Sequence, residues 1–388
     1  MNRFTIPRDL YFGDGACAYL EEVDAKKAMI VYGSDRMEKD GTIDMIKGHL
    51  AKAGVEVSTF SGITHDPSVA QVKEGVAAMA EFQPDLIIGV GGGSPIDAAK
   101  AMWIFYEYPE FTFEEAAIPF NLPTLRTKTK FIAVATTSGT GTEVTSMSVI
   151  TDEKTGIKYP IADFNITPDV AILDTTLVEK LPKGIVANTG MDALTHAIEA
   201  YVSNMANPFT DAVAIKAIEM INDNLVASYN GDMVARKNMH LAQDMAGMAF
   251  SNAILGIAHS MAHKFGKKFN IAHGMVNAIV LPRTVEFNAK TAPEKYVDIA
   301  KRLHLEGSTD AELIDSLVQW IDSLKTAMDM PLTFEAYGVD EARFTDELSE
   351  LAHTAVGDPC TGTNPREIND EQMEGMFRAS FYGERVQF

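Results

Sequence analysis

An apolar run that stops in three consecutive glycines, "DLIIGVGGG" (residues 85–93), constrains this chain more than any other stretch. The run has strand length, and "SPIDAAK" (94–100) reads as the start of a helix. Gly91, Gly92 and Gly93 let the backbone turn tightly between the two and approach a ligand, because no Cβ stands in the way. Ser94 is expected to cap the helix, Pro95 to take its first position and Asp97 to complete a capping box. The amides and positive dipole end of such a helix suit a pyrophosphate. A well-capped turn without a ligand would explain the same letters. The pattern lacks the Lys-Ser/Thr of a Walker loop, and Ser94 stands where G-x-G-x-x-G needs its third glycine.

The first half repeats this alternation. "AMIVYG" (28–33), "FIAVATT" (131–137) and "VAILD" (170–174) are strand-like, and Val69, Val72, Val76, Met79 and Ala80 follow helical spacing. Strands alternating with helices imply a parallel sheet in an α/β layer domain. A second polar turn, "TTSGTGTEVT" (136–145), ends the "FIAVA" run and offers the hydroxyls of Thr136, Thr137, Ser138, Thr140 and Thr142. Two small-residue turns at the carboxyl edge of such a sheet point to a nucleotide.

After Pro182 the character changes. From "KGIVANTGMDALTHAIEAYVS" to "EQMEGMFRASFYGE" the segments are long, amphipathic and rich in Ala and Met. The 20 methionines read as helix-packing filler. A chain of 388 residues is too long for one ordinary core. The expected division is an α/β domain over 1–184 and an all-helical domain over 185–388.

A net charge of −21 argues against nucleic acid and anionic lipid as partners. No apolar run reaches membrane-spanning length, and "MNRFTIPRDLYFGDG" has no signal-peptide core. The two cysteines, Cys17 and Cys360, exclude a disulfide framework and a zinc site built on thiolates, and suit a reducing cytoplasm.

The helical half carries the chemistry-bearing side chains. Asp192 and His196 are four apart, His259 and His263 are four apart, and His273 follows just before a glycine. A lone histidine on an apolar helix is more often hydrogen-bonded than metal-bound. Five buried oxygen and nitrogen donors together are costly without an ion. The set suits Fe, Zn, Mn or Co, and spacing alone favours both members of each pair. His49, His65, His240, His304 and His353 stand in polar or isolated settings and read as surface or structural.

The blocks "GGGSPIDAAKAMW" (91–103), "TTSGTGTEVT" (136–145), "GMDALTHAIEAYVS" (190–203), "HSMAHKFG" (259–266), "AHG" (272–274) and "CTGTNPR" (360–366) occur in one order. In these the chain resembles the iron-containing alcohol dehydrogenases along its whole length, especially the alcohol dehydrogenase module of the bifunctional aldehyde–alcohol dehydrogenases. The resemblance implies the dehydroquinate synthase-like/iron alcohol dehydrogenase fold: an α/β dinucleotide-binding domain, an all-α metal-binding domain and an active site between them. It implies that Asp192, His196, His259 and His273 hold the metal, usually Fe²⁺, with Zn²⁺ or Mn²⁺ as alternatives. It takes His263 out of the ligand set and gives it a part in proton transfer. Gly92, Gly93, Ser94 and Asp97 match residues at the cofactor phosphates, and Thr136, Thr137, Thr145 and Lys158 match others along the dinucleotide groove. "CTGTNPR" matches a loop close to the family's cleft.

The implied reaction is hydride transfer between NAD(P)H and a short-chain aldehyde or primary alcohol, ethanol to butanol, with the metal as Lewis acid on the substrate oxygen. The cofactor choice stays open. NAD-preferring relatives carry an Asp where this chain has Gly33, and NADP-preferring ones resemble a "GGGS" run there. Gly33-Ser34-Asp35-Arg36 fits neither: Asp35 would repel a 2′-phosphate and Arg36 would attract one. A glycerol-dehydrogenase-like polyol dehydrogenase is the alternative on the same fold. A sugar-phosphate cyclase needs more Lys and Arg than Lys264 alone supplies, and a metal-dependent hydrolase would leave both glycine turns unexplained. The resemblance also implies a homodimer or larger homo-oligomer.

Overall fold

In the computed structural model, which describes residues 3–154 and 158–388, the chain divides into two units, Met1–Lys180 and Leu181–Phe388. Unit one runs β1 (Asp9–Gly13), β2 (Lys27–Tyr32), α1 (Arg36–Lys39), α2 (Thr42–Lys52), β3 (Glu56–Phe60), α3 (Val69–Phe82), β4 (Leu86–Gly91), α4 (Gly93–Glu107) and α5 (Phe113–Ala116). It continues with β5 (Lys130–Ala135), the antiparallel pair β6 (Met147–Thr151) and β7 (Lys158–Ala162), and β8 (Val170–Asp174).

Six strands form one sheet in the order β1-β8-β5-β4-β2-β3, and every pairing in it is parallel. The four apolar runs read from the sequence are its inner strands, β2, β4, β5 and β8. Helices cover both faces, so these strands are apolar at nearly every position rather than at alternate ones. On β2, Ala28, Ile30 and Tyr32 pack with Ile46 and Leu50 of α2. Met29 and Val31 face the other way, toward Val72 and Met79 of α3 and Met102 of α4. From β2 the chain steps outward to β3 and then back across to β4. The carboxyl ends of β2 and β4 therefore flank a topological switch point, where open α/β sheets bind ligands.

Unit two holds α6 (Lys183–Val202), α7 (Pro208–Tyr229), α8 (Met233–Ala253), α9 (Ile257–Phe269), α10 (His273–Asn288) and α11 (Pro293–Arg302). After them come α12 (Asp310–Ala327), α13 (Phe334–Tyr337), α14 (Glu341–Val356), a 3₁₀ turn at Pro359–Thr363 and α15 (Asp370–Tyr382). A core of Met261, Phe265, Val280, Phe287, Phe344 and Phe377 ties α9, α10, α14 and α15 together. Asn270 ends α9 in the left-handed conformation, φ 54°. Asparagine tolerates that geometry, and the sharp turn lets α10 begin at His273. Among the described residues no helix is long and apolar enough to cross a membrane.

Candidate active site

At the end of β4, Gly91 takes φ +149°, and a Cβ there would lie 2.7 Å from Pro95 Cγ. Helix α4 begins at Gly93 with Gly92 as its N-cap, and no side chain caps it. The expected capping box is therefore absent. The helix starts earlier than the sequence suggests, so Ser94 already lies inside the first turn. Its hydroxyl donates to the His65 carbonyl instead. Asp97 accepts from Thr142 Oγ1 (2.7 Å) and from the Val149 amide (3.1 Å).

The two polar turns pack against each other. A Cβ on Gly92 would lie 2.8 Å from Thr137 Oγ1, and one on Gly93 3.3 Å from Thr140 Cγ2. The Thr136 amide donates to the Gly91 carbonyl at 2.9 Å. Beneath them the ammonium of Lys100 donates to the carbonyls of Thr142 (2.7 Å), Thr145 (2.7 Å) and Met147 (3.0 Å), and to Thr145 Oγ1 (3.1 Å). Burial lowers its pKa to about 8. Thr145 is only 2% exposed, so its hydroxyl serves Lys100 and not the surface. Lys158 reaches Asp66 at 3.4 Å, beside the His65 carbonyl that holds Ser94. Gly33 follows β2, and a Cβ on it would lie 3.2 Å from Pro95 Cγ. Arg36 donates to the Lys180 carbonyl at 2.9 Å, and Asp35 pairs with Lys39 at 3.8 Å.

In unit two, α6 presents Asp192 and His196, α9 presents His259 and His263, and α10 opens on His273. The donor atoms of Asp192, His196 and His259 all lie within 4.8 Å of one another. Asp192 Oδ1 is 3.8 Å from His259 Nε2 and 3.6 Å from His273 Nε2. Ligands around a tetrahedral first-row ion with bonds near 2.1 Å sit about 3.4 Å apart. These four side chains fit such an ion. Asn277 Nδ2 marks the same convergence, at 2.7 Å from Asp192 Oδ1 and 3.1 Å from each of the two Nε2 atoms.

Burial lowers the His259 pKa well below its ordinary value, with the neighbouring imidazoles adding to it, so the ring is neutral and its lone pair free to bind. Glu199 fixes that ring. Its Oε2 is 2.6 Å from His259 Nδ1, and its Oε1 accepts from the Ala258 amide at 2.7 Å. A carboxyl group behind a histidine orients the ring in this way, and burial pushes the pKa of Glu199 up to about 8. Gly274 also belongs to the construction, since a Cβ there would fall 2.1 Å from the Asn188 carbonyl on α6.

One side of the cluster is closed by buried Asp192, His196 and His259; on the other, the side chains of His273 and His263 are 35% and 38% exposed. These two rings stack at 5.5 Å. His263 Nδ1 lies 3.1 Å from Asp358 Oδ2, an oxygen that also accepts from Lys264 Nζ at 2.8 Å. Burial pushes the Asp358 carboxyl up, but the hydrogen bonds and charges of His263 and Lys264 outweigh it and hold the group below the carboxylate range.

Sequence reasoning passed over Glu199, Asn277, Asp358 and Lys100 as functional groups. Glu199 had a signal, since 192, 196 and 199 share one helix face. Lys100 had one too, as a cation in "AAKAMWIF". Asn277 and Asp358 had none.

Residues 7–175 match the iron-containing alcohol dehydrogenase family, and residues 186–381 match the Fe-containing alcohol dehydrogenase family, C-terminal. The chain is 53% identical to an NADPH-dependent butanol dehydrogenase of Clostridium saccharobutylicum, over 100% of both chains. It is 40% identical to the bifunctional aldehyde-alcohol dehydrogenase AdhE of Escherichia coli (strain K12), over 97% of this chain and 46% of that protein. The crystal structure of a 1,3-propanediol oxidoreductase superposes with a TM-score of 0.93 at 34% identity, over 98% of this chain and 100% of that one.

Proposed function

The chain belongs to the iron-containing alcohol dehydrogenase family, and from that premise we propose that it reduces short-chain aldehydes such as butyraldehyde to primary alcohols with NADPH. The observation that carries the reading is the convergence of Asp192, His196, His259 and His273 beside a half-exposed His263. The first four hold the divalent ion in this proposal. That ion, when bound, supplies Lewis-acid polarisation of the substrate oxygen, while the nicotinamide supplies the hydride.

The chain's own residues do the rest. Glu199 holds His259 Nδ1, which leaves Nε2 turned toward Asp192 and His273. Asp358 takes His263 Nδ1, leaving Nε2 to give a proton to the product oxygen in reduction or to remove one in oxidation. Imidazole suits that task because one ring nitrogen can be held by a carboxylate while the other exchanges the proton. In unit one the Gly92–Gly93 turn and the uncapped first turn of α4 receive the pyrophosphate. Gly33 puts no carboxylate at the end of β2, Asp35 is paired with Lys39, and Arg36, held to the Lys180 carbonyl, brings a guanidinium to the same turn for a 2′-phosphate. These features support NADPH, the cofactor named for the Clostridium saccharobutylicum relative.

None of the reported likenesses points to a hydrolase. The likeness to a 1,3-propanediol oxidoreductase favours a short hydroxyaldehyde as a second substrate. Cytoplasmic location and assembly as a homodimer or larger oligomer belong to the same proposal. Cys17 and Cys360 are both free, which suits a reducing compartment, and sedimentation tests the assembly.

The decisive experiment strips the protein with a chelator, reloads it anaerobically with Fe²⁺, Zn²⁺ or Mn²⁺, and offers butyraldehyde with NADH or NADPH. Metal-dependent consumption of NADPH is expected. His263→Ala should keep metal and lose turnover, whereas His273→Ala should lose metal. If no metal restores consumption of either nucleotide, or if the two variants behave the other way round, the reading fails.

A further inference from the structure

We propose that His263, Asp358 and Cys360 form a second divalent-metal site, which takes Zn²⁺ and stops turnover by occupying the proton-transfer histidine. One donor atom from each of these side chains lies within 4.8 Å of the other two. Together they offer an imidazole nitrogen, a carboxylate oxygen and a sulfur, a mixed and borderline-soft set that suits Zn²⁺. None of the three belongs to the Asp192 cluster.

The site is held in place before any ion arrives. Asp358 caps the 3₁₀ turn Pro359–Thr363, and its Oδ1 accepts from the Cys360 amide at 3.1 Å. Thr361 Oγ1 ties that turn to Ser260 on α9 at 2.8 Å, one helical turn before His263. Thr363 Oγ1 ties it to the Leu255 carbonyl at 2.6 Å, just before α9 begins. Asp358 and Cys360 are buried, while His263 is open on one side. An ion would therefore approach from the exposed side of His263, where solvent can supply a fourth ligand.

Binding forms a Zn–S bond as the Cys360 S–H bond breaks, and the proton leaves to water, with no oxidant or reductant involved. Burial pushes the Cys360 thiol up, so that proton departs only when the ion replaces it. Lys264 opposes the ion through its 2.8 Å contact with Asp358 Oδ2. Its side chain is 29% exposed and can swing into water. The site is thus weaker than the Asp192 cluster and fills only when Zn²⁺ is in excess.

The effect on turnover rests on the proton-transfer role proposed for His263; the site itself does not. Cobalt separates the two, because the Asp192 cluster contains no sulfur and a thiolate-to-cobalt charge-transfer band reports Cys360 alone. Fe²⁺-loaded enzyme titrated anaerobically with Co²⁺ should develop that band. Cys17→Ser and His273→Ala should retain it, and Cys360→Ser should lose it. Excess Zn²⁺ should abolish aldehyde reduction by the wild type and leave Cys360→Ser turning over at its own rate. Absence of the band, or its survival in Cys360→Ser, overturns the site. A normal band together with Zn²⁺-insensitive turnover overturns the inhibitory role. Failure of aldehyde reduction itself would leave the band untouched.

Discussion

His259 Nδ1 lies 2.6 Å from Glu199 Oε2, and the two residues are 1% and 2% exposed. The carboxylate has two tasks, because Oε1 also accepts from the Ala258 amide at 2.7 Å. Glu199→Gln keeps the shape but leaves one acceptor for two donors. Either His259 loses its orienting partner or a buried amide goes unsatisfied. Metal affinity of this variant, measured by competition with a fluorescent chelator, should fall roughly 10- to 100-fold. Unchanged affinity would mean that Glu199 merely fills space.

The sheet was legible where it is buried on both sides. "AMIVYG", "DLIIGVGGG", "FIAVATT" and "VAILD" announced β2, β4, β5 and β8 because a doubly covered strand is apolar throughout. The edge strands β1 ("DLYFG") and β3 ("EVSTF") have no fully buried position, and their letters look like loop. In the helical unit, spacing placed Asp192 with His196 and His259 with His263 on single faces. It had no means of separating His263 from the four ligands proposed here, because Asp358, which meets its Nδ1, lies 95 residues on. The capping box at Ser94 read well locally, but the glycines let α4 start at Gly93 and strand that serine inside the helix.

Gly33 stands at the carboxyl end of β2 with the side of Pro95 3.2 Å from where its Cβ would be. Gly33→Asp places a carboxylate where a ribose 2′-hydroxyl can donate to it and a 2′-phosphate is repelled. A like-charge contact at a partly solvated site costs at least about 1.4 kcal/mol, or roughly tenfold. The ratio of kcat/KM for NADPH over NADH should drop by that factor or more. Gly33→Ala carries the same steric burden without the charge. An equal drop in Gly33→Ala would assign the effect to packing.

Lys100 titrates near pH 8 in the fold against an ordinary value of 10.5, because burial disfavours its charge. Between those two pH values the unfolded chain binds more protons than the folded one, so this residue's contribution to stability rises with pH across that window. Its penalty is fully present below the folded value and has gone by the unfolded one. Urea unfolding of wild type and Lys100→Met from pH 7.5 to 10.5 should show the wild type gaining about 3 kcal/mol relative to the variant. Parallel curves would place the lysine's titration elsewhere. At neutral pH the variant should still be the less stable, since the carbonyls of Thr142, Thr145 and Met147 lose a buried donor.

Gly274 sits where α10 meets α6, immediately after His273, and a Cβ there would fall 2.1 Å from the Asn188 carbonyl and 3.2 Å from Asp192 Cβ. The obstacle is helix backbone, which cannot rotate aside, so Gly274→Ala must push α10 away from α6. Overpacking of this kind costs about 1–3 kcal/mol. It also widens the 3.6 Å separation between His273 Nε2 and Asp192 Oδ1, which the tetrahedral spacing needs. The variant should lose thermal stability in the apo form and bind Fe²⁺ or Co²⁺ more weakly than wild type does. Reduced apo stability with wild-type metal affinity would show that the helices separate without drawing His273 away from Asp192.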